Sequence, residues 1–217
     1  MKTSIVAAAI GVGLFAVPAV AQMVGDDASK PLKPGGVRIT TKAPEPDKWD
    51  SQRSPNGMVR MFKCKPLACA DTASVTIAFL KSPTRHPDPQ ALEKFAKVEL
   101  PKSMRALDAA REILSDGNEK VETVSSKTAT LKGYPAVVSE NKVSKGKTAT
   151  YVDMDIVFAG PVMIRVISVS QNRDFAKKTL DEFVETMHIE EGPPLPPPAE
   201  TAPGATPAPG GSQNNSI

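Results

Sequence analysis

The chain runs to 217 residues, 40% of them hydrophobic but only 5% aromatic, with a formal net charge of +3. Once Lys2 is set aside, 26 Lys and Arg face 24 Asp and Glu, a balance that excludes the strongly basic footprint of a nucleic-acid-binding protein. The length supports one buried core, and no hydrophobic run beyond the N-terminal one is long enough to span a bilayer.

Residues 1–21 read as a signal peptide. Lys2 supplies the charge, the run from Ile5 to Val17 supplies a short apolar region, and Ala19-Val20-Ala21 places small residues where a signal peptidase cuts. Cleavage after Ala21 is the expected outcome, so the mature protein is expected to be periplasmic or secreted, with no transmembrane segment. No Cys follows the apolar run, so no lipid is expected at that site. Residues 22–56 are polar and rich in Pro, Lys and Asp, and predict a loosely ordered lead-in in which only Val37–Thr41 alternates like a strand.

A single α+β domain is expected over residues 57–190. Met58–Phe62 and Ser74–Leu80 are rich in β-branched and aromatic residues and read as a hairpin. Between them lie the only two cysteines, Cys64 and Cys69. In an oxidising compartment a close pair of this kind predicts a disulfide, and Pro66 favours the turn that brings the two together. Closing so short a loop is worth about 2 kcal/mol, which pins a corner rather than holding a fold. The four intervening residues do not match the two-residue spacing of redox-active pairs.

Asp88-Pro89 then forms a cap and first turn, followed by Leu92, Phe95, Ala96 and Leu100 at helical spacing. Pro101 is expected to break or kink this helix. A second short helix is expected to present Met104, Leu107, Ala110 and Leu114, with Asp116-Gly117-Asn118 as its stop signal. After Glu119 the period changes from about four to two. Thr150, Val152, Met154, Ile156 and Phe158 fall on one face of a strand, with Tyr151, Asp153, Asp155 and Val157 on the other. Strands are also predicted over Val121–Leu131, Pro135–Val143 and Val162–Ser170. The links between them, at Gly133-Tyr134, Ser144–Lys147 and Gly160-Pro161, are too short for parallel crossovers and predict a four-stranded antiparallel meander. A closing amphipathic helix from Asn172 or Asp174 carries Ala176, Leu180, Phe183, Val184 and Met187 on one stripe, suited to the face of that sheet. Residues 191–217 form a Pro-rich tail: eight of the last 26 residues are Pro, four are Gly, and Glu200 is the only charge. Disorder with polyproline character is expected, with a fully extended reach of about 80 Å.

From Gly133-Tyr134-Pro135-Ala136, through Tyr151-Val152-Asp153-Met154 and Ile164–Ser170, to Phe175 and Phe183 on the last helix, the chain resembles the closing half of PsbP-like (Mog1-type) domains. The resemblance covers about a third of the chain. It implies an antiparallel sheet sandwiched between helices, in a family whose members are mostly non-enzymatic binding or assembly proteins.

Chemistry is sparse. His86 sits in a loop before the first helix and His188 follows the last helical turn, where a cation meets the helix dipole; neither is flanked by a catalytic motif. Gly146-Lys147-Thr148 lacks the upstream Gly of a phosphate-binding loop, and Ser139 of a formal Ser-x-x-Lys ending at Lys142 falls in a strand pattern. No cofactor or metal site is predicted. Asp153 and Asp155 share a strand face and are expected to be turned to water. Lys142, Lys145 and Lys147 gather at a hairpin tip as the candidate contact for an anionic envelope polymer or lipid headgroup, although basic tips also serve solubility alone. The expected function is a non-enzymatic binding or assembly domain acting on another envelope component. The alternatives are a hydrolase built on Asp153 and Asp155, or a purely structural envelope protein.

Overall fold

The computed structural model describes residues 24–25, 31–104 and 119–195. The chain passes through β1 (Val24–Gly25), β2 (Val37–Thr40), β3 (Trp49–Arg53), β4 (Val59–Cys64) and β5 (Ala73–Lys81). It then continues through α1 (Pro89–Lys94), β6 (Glu119–Leu131), β7 (Tyr134–Lys145), β8 (Thr148–Ala159), β9 (Val162–Ser170), α2 (Arg173–Thr186) and β10 (His188–Glu191). Among the described residues, seven strands form one antiparallel sheet in the order β3-β4-β5-β9-β8-β7-β6. The expected hairpin is β4 and β5, and the expected meander is β6 to β9. The path from β5 crosses to the far edge by way of α1, and the meander then walks back until β9 lies beside β5. The turns obey the glycine rule at the predicted places, with Gly133, Gly146 and Gly160 all at positive φ.

Both faces of the sheet are covered. On one, Val152, Met154, Ile156 and Phe158 of β8 pack with Val137 and Ile167 against Leu92, Ala96 and Leu100. On the other, Val75, Ile77, Phe79, Val157, Ile164 and Val166 pack against Leu180, Phe183, Val184 and Met187 of α2. Phe183 is wedged between Trp49 and Phe62, with ring centroids 5.0 and 4.9 Å away. Such contacts add to the area term of a fully buried ring. The stripe read from the sequence of α2 is buried at every position, and Asn172 is the N-cap, its side chain accepting the Phe175 N–H.

The lead-in is more ordered than its composition predicts. Residues 37–53 carry β2 and β3, and Val37, Ile39 and Trp49 are core residues. These few apolar side chains find partners that are distant in sequence, because β10 returns from α2 to pair with β2. Composition over a window cannot register such a pairing. The ladder runs on into the start of the tail, where Gly35 N–H donates to the Pro193 carbonyl and Gly192 N–H to that of Gly36. The remaining tail, residues 196–217, lies outside the described residues, as do residues 1–21 of the expected signal peptide.

Pro101 does not end the first helix. Asp88 caps it as expected, its carboxylate accepting the Ala91 N–H. The chain then makes a π turn over Phe95–Glu99, in which Leu100 N–H reaches the Phe95 carbonyl, and stays helical through 100–104. A wide turn just before a proline is one way for the hydrogen-bond ladder to yield to the missing N–H without breaking. Apart from Met104, the second predicted helix and its stop signal fall outside the described residues. Cys64 and Cys69 are disulfide-bonded, with Cα atoms 6.3 Å apart. The bond closes the β4–β5 corner, where Leu67 takes a positive φ and stands fully exposed.

Candidate functional site

The most polar part of the interior lies between β8 and the first half of α2. Counting outward from the Gly146 and Gly160 turns fixes its layout, because each antiparallel register places cross-strand partners on the same face. Asp153 lies between Glu140 of β7 and Ser168 of β9, and Asp155 between Val138 and Val166. One row toward the open end, Tyr151 lies between Lys142 and Ser170; one row the other way, Val157 lies between Ala136 and Ile164. The face under α2 therefore grades from polar to apolar along the strands.

The acids are not turned to water. Asp153 and Asp155 are each only 5% exposed, which overturns the expectation of a solvated strand face. Alternation along β8 implies one buried and one wet side, whereas helices cover both. Burial is the main reason that Asp153 is pushed up to about 6, with Glu140 adding to it and Lys177 opposing. Asp155 is pushed up to about 7 by burial and then by Asp181, again against Lys177. Lys177 is itself held by Asp181 at 2.7 Å on the helix surface, so its charge is shared. The Oδ2 of Asp153 and the Oγ of Ser168 are buried without a hydrogen-bond partner. Arg173, the first residue of α2, closes the open end through a two-pronged pair with Glu140, at 2.5 and 2.9 Å. Beside it is a shallow hollow of about 240 Å³ lined by Glu122, Val124, Glu140, Lys142, Tyr151 and Arg173.

A catalytic acid or base must come within hydrogen-bond reach of the reacting group, and in this arrangement α2 covers the β8 carboxyls. Among the described residues, no three His, Cys, Asp or Glu side chains converge as metal ligands. Of the three lysines at the β7–β8 tip, Lys142 lies on the α2 face beside Tyr151, Lys145 pairs with Glu119 at 3.2 Å, and Lys147 is exposed in the turn. The two strand lysines thus project to opposite faces. His86 is exposed and lines a second hollow, of about 350 Å³, with Gly35, Arg85 and Leu195; His188 opens β10 and does not line that hollow. Ser139 is buried in β7, away from any helix start. Sequence reading missed Glu140, Ser168 and Arg173. The first two could have been found by the same count from the turns; the third required knowing where α2 lands.

No family model matches the chain, and no curated protein matches it. Among solved structures, cyanobacterial PsbP from Synechocystis sp. PCC 6803 is 12% identical and aligns over 76% of this chain and 98% of its own, with a TM-score of 0.50. LpqN of Mycobacterium tuberculosis, described as involved in cell envelope biogenesis, is 18% identical over 72% of this chain and 86% of its own, with a TM-score of 0.45. With an antiparallel sheet held between helices over nearly the whole length of the cyanobacterial protein, the chain has a PsbP-like (Mog1-type) sandwich fold.

Proposed function

We propose that the chain is an exported, non-enzymatic binding or assembly domain that acts on another protein of the cell envelope. The observation that carries this reading is the burial of Asp153 and Asp155 beneath α2, because the rival reading, a hydrolase, is built on these two carboxylates. What reaches the surface instead is suited to protein contact: the outer strands of a long sheet and the start of a Pro-rich tail. The Cys64–Cys69 bond fits an oxidising compartment, and Met1–Ala21 has the charge, length and small-residue end of an export signal. The PsbP-like fold is compatible with this role and does not by itself assign it.

Two measurements test the proposal. Cell fractionation with N-terminal sequencing is expected to find the protein outside the cytoplasm, beginning at Gln22; an intact chain in the cytoplasm ends the export reading. Photocrosslinking in living cells from positions on β3 and the tail is expected to give a discrete adduct with one envelope protein. If no position does so, while the purified protein hydrolyses an envelope ester or amide and loses that activity in Asp155→Asn, the enzyme reading replaces this one.

A further inference from the structure

The last strand of the sheet, β6, is 13 residues long, and among the described residues its only strand partner is β7. One row of its backbone N–H and C=O groups therefore has no strand partner among the described residues, the kind of edge that recruits another strand unless it is guarded. Its register with β7 contains one irregularity. Thr123 pairs with Asn141 and Ser125 with Glu140, which leaves Val124 as an extra residue. Val124 is 44% exposed and lines the hollow by Arg173.

The bulge changes which residues share a face. Before it, Lys120 and Glu122 lie on the α2 side with Ser144 and Lys142, while Glu119, Val121 and Thr123 lie on the α1 side. After it the parity flips, so that Ser125, Lys127 and Ala129 are on the α2 side, with Ser126, Thr128 and Thr130 on the other. A strand with uninterrupted alternation meets an antiparallel copy of itself with matching faces only when the two-fold axis passes through a residue. Here the flip places the matching axis between Val124 and Ser125. In that register Glu122 lies opposite the copy's Lys127, Lys120 opposite Ala129, and Val124 opposite Ser125. On the far face Val121 lies opposite Thr128 and Thr123 opposite Ser126. Every pair from Glu119 to Thr130 shares a face, no like charges oppose each other, and the Glu122–Lys127 pair occurs twice by symmetry. Sliding by one residue puts opposite faces together along the strand. Sliding by two sets Lys120 against Lys127 in one direction and separates Glu122 from Lys127 in both. Within its own chain neither Glu122 nor Lys127 has an ion-pair partner among the described residues.

We propose that β6 is a self-recognition edge, through which two copies of this chain join their sheets antiparallel about an axis at Val124–Ser125, with Glu122 of each copy against Lys127 of the other. The bulge and the charged residues, which elsewhere guard an edge, here select a single partner and a single register.

Sedimentation of the purified protein from about 10 µM to 1 mM tests this, the expected result being a reversible monomer–dimer equilibrium within that range. Glu122→Lys and Lys127→Glu each create two like-charge pairs and are expected to weaken the dimer about tenfold. The double variant Glu122→Lys/Lys127→Glu restores both pairs with reversed sign and is expected to recover the original dissociation constant. Far-UV circular dichroism and thermal melting of each variant confirm that it is folded, as these exposed sites lead one to expect. Thr123→Cys/Ser126→Cys under mild oxidation is expected to give a covalent dimer. A strict monomer at 1 mM overturns the proposal. So does a dimer that is indifferent to both single reversals, which would place the contact on another face, or one that the double reversal fails to restore.

Discussion

The two faces of the central sheet are covered by the same means and filled differently. Under α1 and its π turn, β8 presents Val152, Met154, Ile156 and Phe158, and the polar side chains buried beside them, Ser139 and Asn141, are neutral and hydrogen-bonded to each other. Under α2 the same strand presents Val157 to the core, then Asp155 and Asp153, whose cationic neighbour Lys177 is shared with Asp181. The C-terminal half of α2 is bound by aromatic packing through Phe183, while its N-terminal half rests on carboxyl groups that favour being neutral. One helix thus has a firm end and an end whose fit depends on protons.

The largest expected effect breaks the firm end. Phe183→Ala removes a ring that touches both Trp49 and Phe62 and so ties α2 to β3 and β4. Denaturant unfolding is expected to show a loss of about 3–5 kcal/mol. A loss below about 1 kcal/mol would mean that α2 is held chiefly by its other end.

Asp155→Asn sharpens the comparison from the opposite side. The folded state holds the Asp155 proton up to about pH 7, whereas the unfolded chain releases it near the ordinary value of 3.8. Between those two values the folded state binds more protons than the unfolded state, so this group's contribution to stability is full below about pH 4 and is lost as the pH rises through 7. Asp153 acts with the same sign over a narrower window, ending near pH 6. The Asn variant, which has no proton to lose, is expected to be more stable than the parent by about 1–3 kcal/mol at pH 8 and to converge with it near pH 4. Unfolding curves at four or five pH values check this. A difference that stays constant with pH would show that Asp155 is solvated in the folded protein.

How much of this was legible in the sequence follows from what each signal encodes. The meander was readable because its turns are short and carry glycine, and the stripe of α2 because five apolar residues recur at helical spacing. Those same turns contained the pairing of Asp153 with Glu140 and Ser168, which needed only a count. What could not be read was the second cover. Alternation tells which residues share a face and says nothing about whether that face meets water or a helix, so Asp153 and Asp155 were placed on the wrong side of that distinction. The ordering of Val37, Ile39 and Trp49 was hidden for a related reason: the partners that bury them, from β10 and α2, come more than a hundred residues later. The π turn before Pro101 shows the limit of proline as a stop signal, since a helix can widen instead of ending.

The smallest expected effect probes the proton-dependent end directly. Asn172 accepts the Phe175 N–H at 3.1 Å, and Arg173 next to it reaches Glu140, so the cap sits at the entrance to the carboxyl row. Asn172→Ala is expected to cost about 1 kcal/mol, the ordinary value of an N-cap. Asn172→Asp is more informative, because an aspartate caps an isolated helix as well as asparagine does and gains from the helix dipole. Here the added charge lies at the end of α2 that rests on Asp153, where a carboxylate appears once Asp153 gives up its proton at about 6. The Asp variant is therefore expected to match the parent at pH 5 and to fall below it by a few tenths of a kcal/mol at pH 8. Equal stability at both values would mean that the first turn of α2 does not feel the buried acids, and that the two halves of the helix differ in packing alone.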